Sequence, residues 1–526
     1  MSIFIDHTVA TLFFQQSAQL SSITRLDLAI SGTLPSGLAD WLGKLTTLHV
    51  EKTSIAAEHD EGWVFCPDPS GLLGRMPALT TVFVYWYHAE LDRPLDLFCR
   101  LPSLKTIEVK CDTAILTDSI CQLTGLVNLH LVWCGALTQL PVSLGQLTML
   151  ATLDVLFSHA LTQVPASLCQ LQALTTLHFR GCRRLRELPV LLGRLTALRT
   201  LILTDSLELT ALPTSLGQLT SLSTLNLTGC CVISALPESL GQLAVLRILK
   251  LKHCIACTGL PESLGQLASL EELDMSWCSS LMSLPDSLGQ LAVLRILNLK
   301  HCIACTGLPE SLGQLASLKE LDMSWCSSLM SLPDSLGQLA LLKTLHLYGC
   351  HELTSLPESL GQLAALTVLI VDGCRKLTAL PESLGQLSEL RELHCSDTEI
   401  LALPRTLGNL SALSILTIAW CAISELPQDV GRLAALTELN MYRCNALARL
   451  PFSFAFLPDN LHLTWGPSIM FPPRDVCCRG MQAIRAFLSV HDHPGKLLVL
   501  LLIAKYHCMQ HLSSEVWVVM SAAMGE

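Results

Sequence analysis

The residues that first invite chemistry are two cysteine pairs. The string "HCIAC" occurs at His253–Cys257 and again at His301–Cys305, each a Cys-x-x-Cys preceded by histidine. Two thiolates at that spacing beside an imidazole are half of a tetrahedral zinc site, or a redox pair. A second concentration of soft ligands lies toward the C-terminus: His491, His493, His507, Cys508 and His511, with Cys477 and Cys478. His507 and His511 are one helical turn apart and could chelate, but no tidy ligand pairing accompanies them. "GLADWLGKL", at 37–45, has the outline of a phosphate loop. It fails, because five residues separate its glycines and no Ser or Thr follows Lys44. No nucleophile elbow, kinase signature, HExxH or dinucleotide fingerprint appears, so neither an enzyme nor a cofactor or metal is expected.

The elements that would have to position these residues come from a repeat. Proline preceded by an aliphatic residue, nearly always Leu, recurs at 141, 165, 189, 213, 237, 261, 285, 309, 333, 357 and 381, then at 404, 427 and 451. The step is 24 residues, with two of 23. One unit is "LPESLGQLASLEELDMSWCSSLMS", residues 260–283. In "ELDMS", Leu273 and Met275 alternate with Glu272, Asp274 and Ser276, which predicts a short strand with one buried face. "PESLGQL" places Pro261 at a first helical position, an acid where a helix dipole favours it, and Leu264 and Leu267 on one inward side. No single unit can bury its leucines; stacking does.

The spacing Leu270, Leu273, Met275, Cys278, Leu281 resembles the leucine-rich repeat pattern. The chain is similar to intracellular members of that family, both the Ras-group type with "LPxxLxxL" and the repeat region of plant immune receptors. The resemblance covers about residues 20–490 and implies an α/β solenoid. That fold is a horseshoe with a parallel β-sheet on the concave face and short helices or 3-10 turns on the convex face. Strand leucines or their equivalents are expected from 26 and 48 through 273 to 439 and 461, about nineteen units. The implied organisation is an N-terminal cap at 1–22, irregular repeats at 23–125 with an inserted loop near 51–78, a regular array at 126–470 and a C-terminal helical cap at 471–526.

The frame explains the cysteines. Cys254 and Cys302 share one repeat position with Cys134, Cys182, Cys230, Cys278, Cys326, Cys350, Cys374, Cys421 and Cys444. The family resemblance implies that this side chain turns inward and bonds neighbouring backbone in a ladder, where cysteine serves as a weak donor and small hydrophobe. Cys257 and Cys305 fall where other units carry Leu281 or Leu353. Structural thiols are therefore favoured over zinc or redox chemistry.

Composition narrows the partners. Half of the residues are hydrophobic, only 5% are aromatic and the net charge is −11. That charge argues against a nucleic-acid binder, which would need a basic stripe. Mean hydropathy is +0.48, yet the apolar run at 497–504 is far short of the ~20 residues that span a bilayer. The start carries Asp6 and no basic n-region, so a secretory signal is not expected. A cytoplasmic protein with reduced thiols is expected, with the nucleus as the second compartment.

A protein partner on the concave face is the expected function. Candidate contacts are Trp133, Lys250, Lys252, His253, Glu272, Asp274, Trp277, Lys300, His301, Glu320, Asp322, Trp325, Tyr348, Trp420 and Tyr442. Acidic and basic rows alternate there, so lateral pairing and a solvated face is the competing reading. Trp133, Trp277, Trp325, Trp420 and Trp465 are read as one repeat position, suited to an interface hot spot. Residues 243–290 and 291–338 are duplicates that differ only at Lys250/Asn298 and Glu271/Lys319. "PPRDVCCRGMQAIRAFL", at 472–488, resembles the closing segment of intracellular leucine-rich repeat proteins and is expected to cap the core through Val476, Ile484 and Phe487. Beyond it, "HLSSEVWVVM" is weakly similar to the start of F-box motifs, which keeps a ubiquitin-ligase adaptor as an alternative, beside a structural subunit of a larger assembly.

Overall fold

The computed structural model describes residues 78–86, 101, 103–111, 114–466 and 468–491, and the backbone of 4–5, 25–29 and 47–51. The expected inserted loop, the phosphate-loop-like stretch, the F-box-like run and His493, His507, Cys508 and His511 lie outside the described residues. The chain forms two compact units, Met1–Leu342 and Lys343–Glu526.

In the first unit each described strand pairs in parallel with the next, and in the regular region the register is one repeat. Leu249 lies opposite Leu273, and Leu273 opposite Leu297. Strand Glu272–Asp274 is typical: Leu273 is fully buried between two half-buried neighbours. Leu264, Leu267, Leu270, Met275, Cys278 and Leu281 of the same unit are also fully buried. At about 1.5–3 kcal/mol for each buried aliphatic side chain, this column of leucine holds the coils together. The second unit repeats the scheme from Thr344–His346 to His462–Trp465, again all parallel.

Opposite the sheet, "ESLGQ" at Glu262–Gln266 is a 3-10 turn. Pro261 does not occupy its first position, as expected, but precedes it with φ −68° and ψ 151°. Its carbonyl accepts the first bond of the turn, from the Leu264 N–H at 3.0 Å, as an N-cap residue's does. The acid also acts differently from expectation. The Glu262 carboxylate reaches the next coil and accepts the Ser287 N–H at 3.3 Å, and Glu238 and Glu310 do the same for Ser263 and Ser335. A turn this short has little dipole to offer, whereas the adjacent coil presents an unsatisfied donor. Gly265 is required by contact: a Cβ there would sit 2.5 Å from the Ser287 carbonyl oxygen.

Two registers are corrected. The last strand is His462–Trp465 with Leu463 opposite Leu439, so Leu463 and not Leu461 is the strand leucine. Trp465 therefore lies opposite Met441 and does not share the position of the other four tryptophans. Ser276 does not face outward with Glu272 and Asp274 but is 3% exposed, because the strand ends at Asp274 and alternation ends with it. At the other end, strand Phe4–Ile5 pairs with Asp27 and Leu28, within the stretch expected to be a cap.

The C-terminal helices Arg474–Cys477 and Met481–His491 pack beyond the last strand. Ile484 is buried there, joined by Cys477, Met481 and Leu488, while Val476 and Phe487 are half-buried. Arg485 fastens the longer helix, donating to the carbonyls of Ala455 at 2.7 Å and Leu457 at 2.6 Å. Among the described residues no helix is long and apolar enough to cross a membrane.

Candidate interaction surface

The cysteine row runs just behind the sheet. Cys254 Sγ approaches the Leu227 carbonyl at 3.2 Å, Cys278 that of Leu251 at 3.1 Å, Cys302 that of Met275 at 3.2 Å and Cys326 that of Leu299 at 3.2 Å. Cys134, Cys182 and Cys230 do likewise on Val109, Val155 and Leu203. In the second unit Cys374, Cys421 and Cys444 contact the carbonyls of Leu347, Cys395 and Ile418, and Cys350 is fully buried. The second cysteines turn elsewhere: Cys257 to the Gly259 carbonyl and Cys305 to that of Gly307, both at 3.3 Å. Burial pushes the Cys278 and Cys326 thiols up to about 12, and those of Cys254, Cys257, Cys302 and Cys305 also upward. A thiol so far from ionisation is neither a nucleophile nor a ready metal ligand at neutral pH.

One residue ahead of each such cysteine the backbone enters the left-handed region. Glycine fills that position at 181 and 229, with φ +71° and +78°. Bulky side chains fill it elsewhere: Trp133 (58°), His253 (60°), Trp277 (66°), His301 (59°) and Trp325 (64°). An L-residue is disfavoured there by about 1–2 kcal/mol. The conformation lets the residue's N–H continue the sheet ladder, as His253 does to the Ser276 carbonyl at 2.9 Å and Trp277 to that of Lys300 at 2.6 Å. It also stacks the rings. His253 and Trp277 have centroids 5.2 Å apart, Trp277 and His301 3.6 Å, and His301 and Trp325 5.6 Å, all within 28° of parallel. Trp277 is 40% exposed and Trp325 half-buried.

The charges around this stack are sorted by row. Lys250 pairs with Glu272 at 3.0 Å. Asp274 and Asp322 turn along their own chain, accepting the N–H of Ser276 at 2.9 Å and Ser324 at 2.8 Å in Asx turns. Glu320 is exposed, and Lys252 and Lys300 flank the rings, half-buried. Lateral neutralisation is thus realised for Lys250 and Glu272 but not for the two lysines at the strand ends.

These coils, their register and their buried leucine column match a family model for a leucine-rich repeat region over residues 190–299 and 275–397. Residues 190–397 are leucine-rich repeats. Among solved structures, a leucine-rich repeat protein of Leptospira interrogans is 23% identical with a TM-score of 0.55, covering 88% of this chain and 100% of that one. The structure titled as the Drosophila Toll–Spätzle complex, described there as a hub in development and innate immunity, is 19% identical with a TM-score of 0.60. It covers 88% of this chain and 60% of that one. At these identities the likeness establishes the fold. No curated protein matches the sequence. The fold class is the α/β solenoid of the leucine-rich repeat horseshoe type, an architecture that generally supports protein–protein interaction.

The leucine-rich repeat frame also locates the remaining candidates. Trp133, 52% exposed, stacks on Phe157 with centroids 4.4 Å apart. In the second unit Trp420, also 52% exposed, meets Tyr442 edge-on at 6.2 Å and carries the Arg443 guanidinium 4.3 Å above its ring. Tyr348 is 41% exposed.

Sequence reasoning missed two features. Ser158, Ser206 and Thr398 occupy the cysteine position in their own coils, and Ser206 Oγ reaches the Phe179 carbonyl at 3.4 Å; the 24-residue spacing alone would have found them. The same spacing relates His130, Asp154 and His178, each following a strand leucine. His130 Nδ1 lies 2.7 Å and His178 Nδ1 2.8 Å from the two oxygens of Asp154. Burial opposes ionisation of Asp154, but its contacts with the two imidazoles hold the carboxyl far below the usual range. The hydrogen bond that His130 donates to Asp154 in turn raises the His130 pKa.

Proposed function

We propose that this leucine-rich repeat protein is a non-enzymatic recognition module or scaffold, acting in intracellular signalling or defence. It binds a protein partner on the sheet face centred on Trp277. The supporting observation is the ring stack from His253 to Trp325, held in backbone conformations that glycine fills without strain in neighbouring coils. Strain kept for a side chain that remains partly exposed is typical of a surface used for binding. Lys250, Lys252, Glu272, Asp274, Lys300, His301, Glu320 and Asp322 surround the rings; Trp133, Tyr348, Trp420 and Tyr442 offer further aromatic contacts. The protein works in the cytoplasm or nucleus.

Affinity purification from the native source tests this, with Trp277→Gly and Trp325→Gly as comparisons. The glycine variants remain folded and lose the stoichiometric partner; full retention of every partner overturns the reading. The ubiquitin-ligase alternative rests on "HLSSEVWVVM". It requires co-purification of a ligase scaffold subunit that deletion of residues 490–526 abolishes.

A further inference from the structure

The duplicated block prints the same chemistry twice on the sheet face. Strands Ile248–Lys250 and Ile296–Asn298 both pair with Glu272–Asp274, so they are two strand spacings apart. Lys252-His253 and Lys300-His301 follow these strands and recur at ~9.6 Å, twice the usual interstrand distance. Trp277 stands between them, stacked on both histidines.

The repeat row of Lys252, Ser276, Lys300 and Ser324 holds two cations and no acid, with the charges of Asp274 and Asp322 two residues back along their strands. Among the described residues neither Lys252 nor Lys300 has a carboxylate partner, whereas Lys250 is taken by Glu272. Asp274 and Asp322 bind backbone N–H groups, and Glu320 precedes its strand leucine, on the far side from the lysines. The potential is felt at His301, which burial and then the Lys300 ammonium push down against the pull of Asp322.

Resting on the sheet-face reading above, we infer that this strip receives an extended acidic peptide whose carboxylates recur at every third residue. The argument is one of matching periods. A polyproline II segment rises ~9.3 Å in three residues, and a fully extended one ~10 Å. Either places successive i, i+3 carboxylates on Lys252 and Lys300, and lays the residues between them along the exposed edge of Trp277, whose faces are taken by His253 and His301. Proline in those intervening positions packs on the apolar edge of the ring stack and fixes the segment in the required form before it binds.

The test uses the full chain and labelled synthetic peptides of equal glutamate count with repeats Glu-Pro-Pro, Glu-Pro and Glu-Pro-Pro-Pro, followed by fluorescence anisotropy. Glu-Pro-Pro is expected to bind roughly tenfold tighter than the other two, and less tightly as salt is raised. Lys252→Ala and Lys300→Ala each weaken it by roughly five- to tenfold, with unchanged circular dichroism and melting. Paired Lys252→Glu and Lys300→Glu transfer the preference to Lys-Pro-Pro. Equal affinity for all three spacings, or indifference to both alanine variants, overturns the inference. If Trp277→Gly still strips the native partner while the peptides show no spacing preference, the sheet-face function stands and only the acidic, threefold-period partner falls.

Discussion

Histidine is used in two opposite ways within the first unit. Around Asp154, two imidazoles from the coils immediately before and after it converge on one carboxylate, 15% exposed, through their ring nitrogens. Around Trp277, two imidazoles converge on one indole, and their faces do the work. The first group sits directly after the strand leucine, where backbone is extended and side chains project toward neighbours. The second sits three residues later, where a left-handed residue ends the strand and lays its ring flat along the row. The row decides the role, and the residue type follows.

Changes at the two centres should separate accordingly. The largest effect is expected from Asp154→Ala, which leaves two imidazoles without their shared acceptor; a loss of about 1.5–3 kcal/mol by urea denaturation is expected. Trp277→Gly should stay within about 1 kcal/mol of wild type, since the lost ring stacking is offset by relief of the left-handed conformation. If the two variants lose equal stability, the distinction between a structural and a surface centre fails.

Titration sharpens the comparison through its sign. Folded His130 holds its proton more tightly than the unfolded chain does. Its contribution is complete below about pH 6.5 and is lost as pH rises through the folded value. Folded His301 holds its proton less tightly, so its contribution is present above about pH 6.5 and is lost as pH falls. Urea midpoints across this range should therefore converge between wild type and His130→Gln toward alkaline pH, and between wild type and His301→Gln toward acidic pH. Slopes of the same sign would refute the assignment. The smallest change is Lys250→Asn, which makes the first copy of the duplicated block match the second at that site. It removes one ion pair that is partly exposed, so less than about 1 kcal/mol should be lost, and the difference should shrink in high salt.

The leucine column and the cysteine row were readable because they recur at a fixed step with few exceptions. Leu273, Met275, Cys278 and Cys254 are buried where the period puts them. Errors came where a local rule was extended past the element that supports it. Strand alternation was carried to Ser276 after the strand had ended. The step from Leu439 to the last strand leucine, Leu463, is still 24 residues, and the expectation at Leu461 departs from that period by two, as does the grouping of Trp465 with the other tryptophans. The left-handed row was invisible because Trp, His and Asp outnumber the glycine that would have announced it. The Asp154 centre is illegible from local sequence because His130, Asp154 and His178 lie 24 residues apart and meet only through the strand register.

Glycine stands in most of the 3-10 turns, with Cys121, Cys169 and Ala455 taking its place in three. Gly241, Gly265, Gly289 and Gly313 would each set a Cβ 2.4–2.5 Å from the serine oxygen of the following coil. The seam between the two copies, at Gly289 and Ser311, is therefore indistinguishable from the joints inside them. Each of these glycine-bearing coils brings both halves of this joint, its own hollow and the knob its predecessor needs. Lineages can thus lengthen or shorten the molecule by whole coils without fitting a new junction, whereas a gain or loss of a few residues in a turn would leave a hollow without its knob.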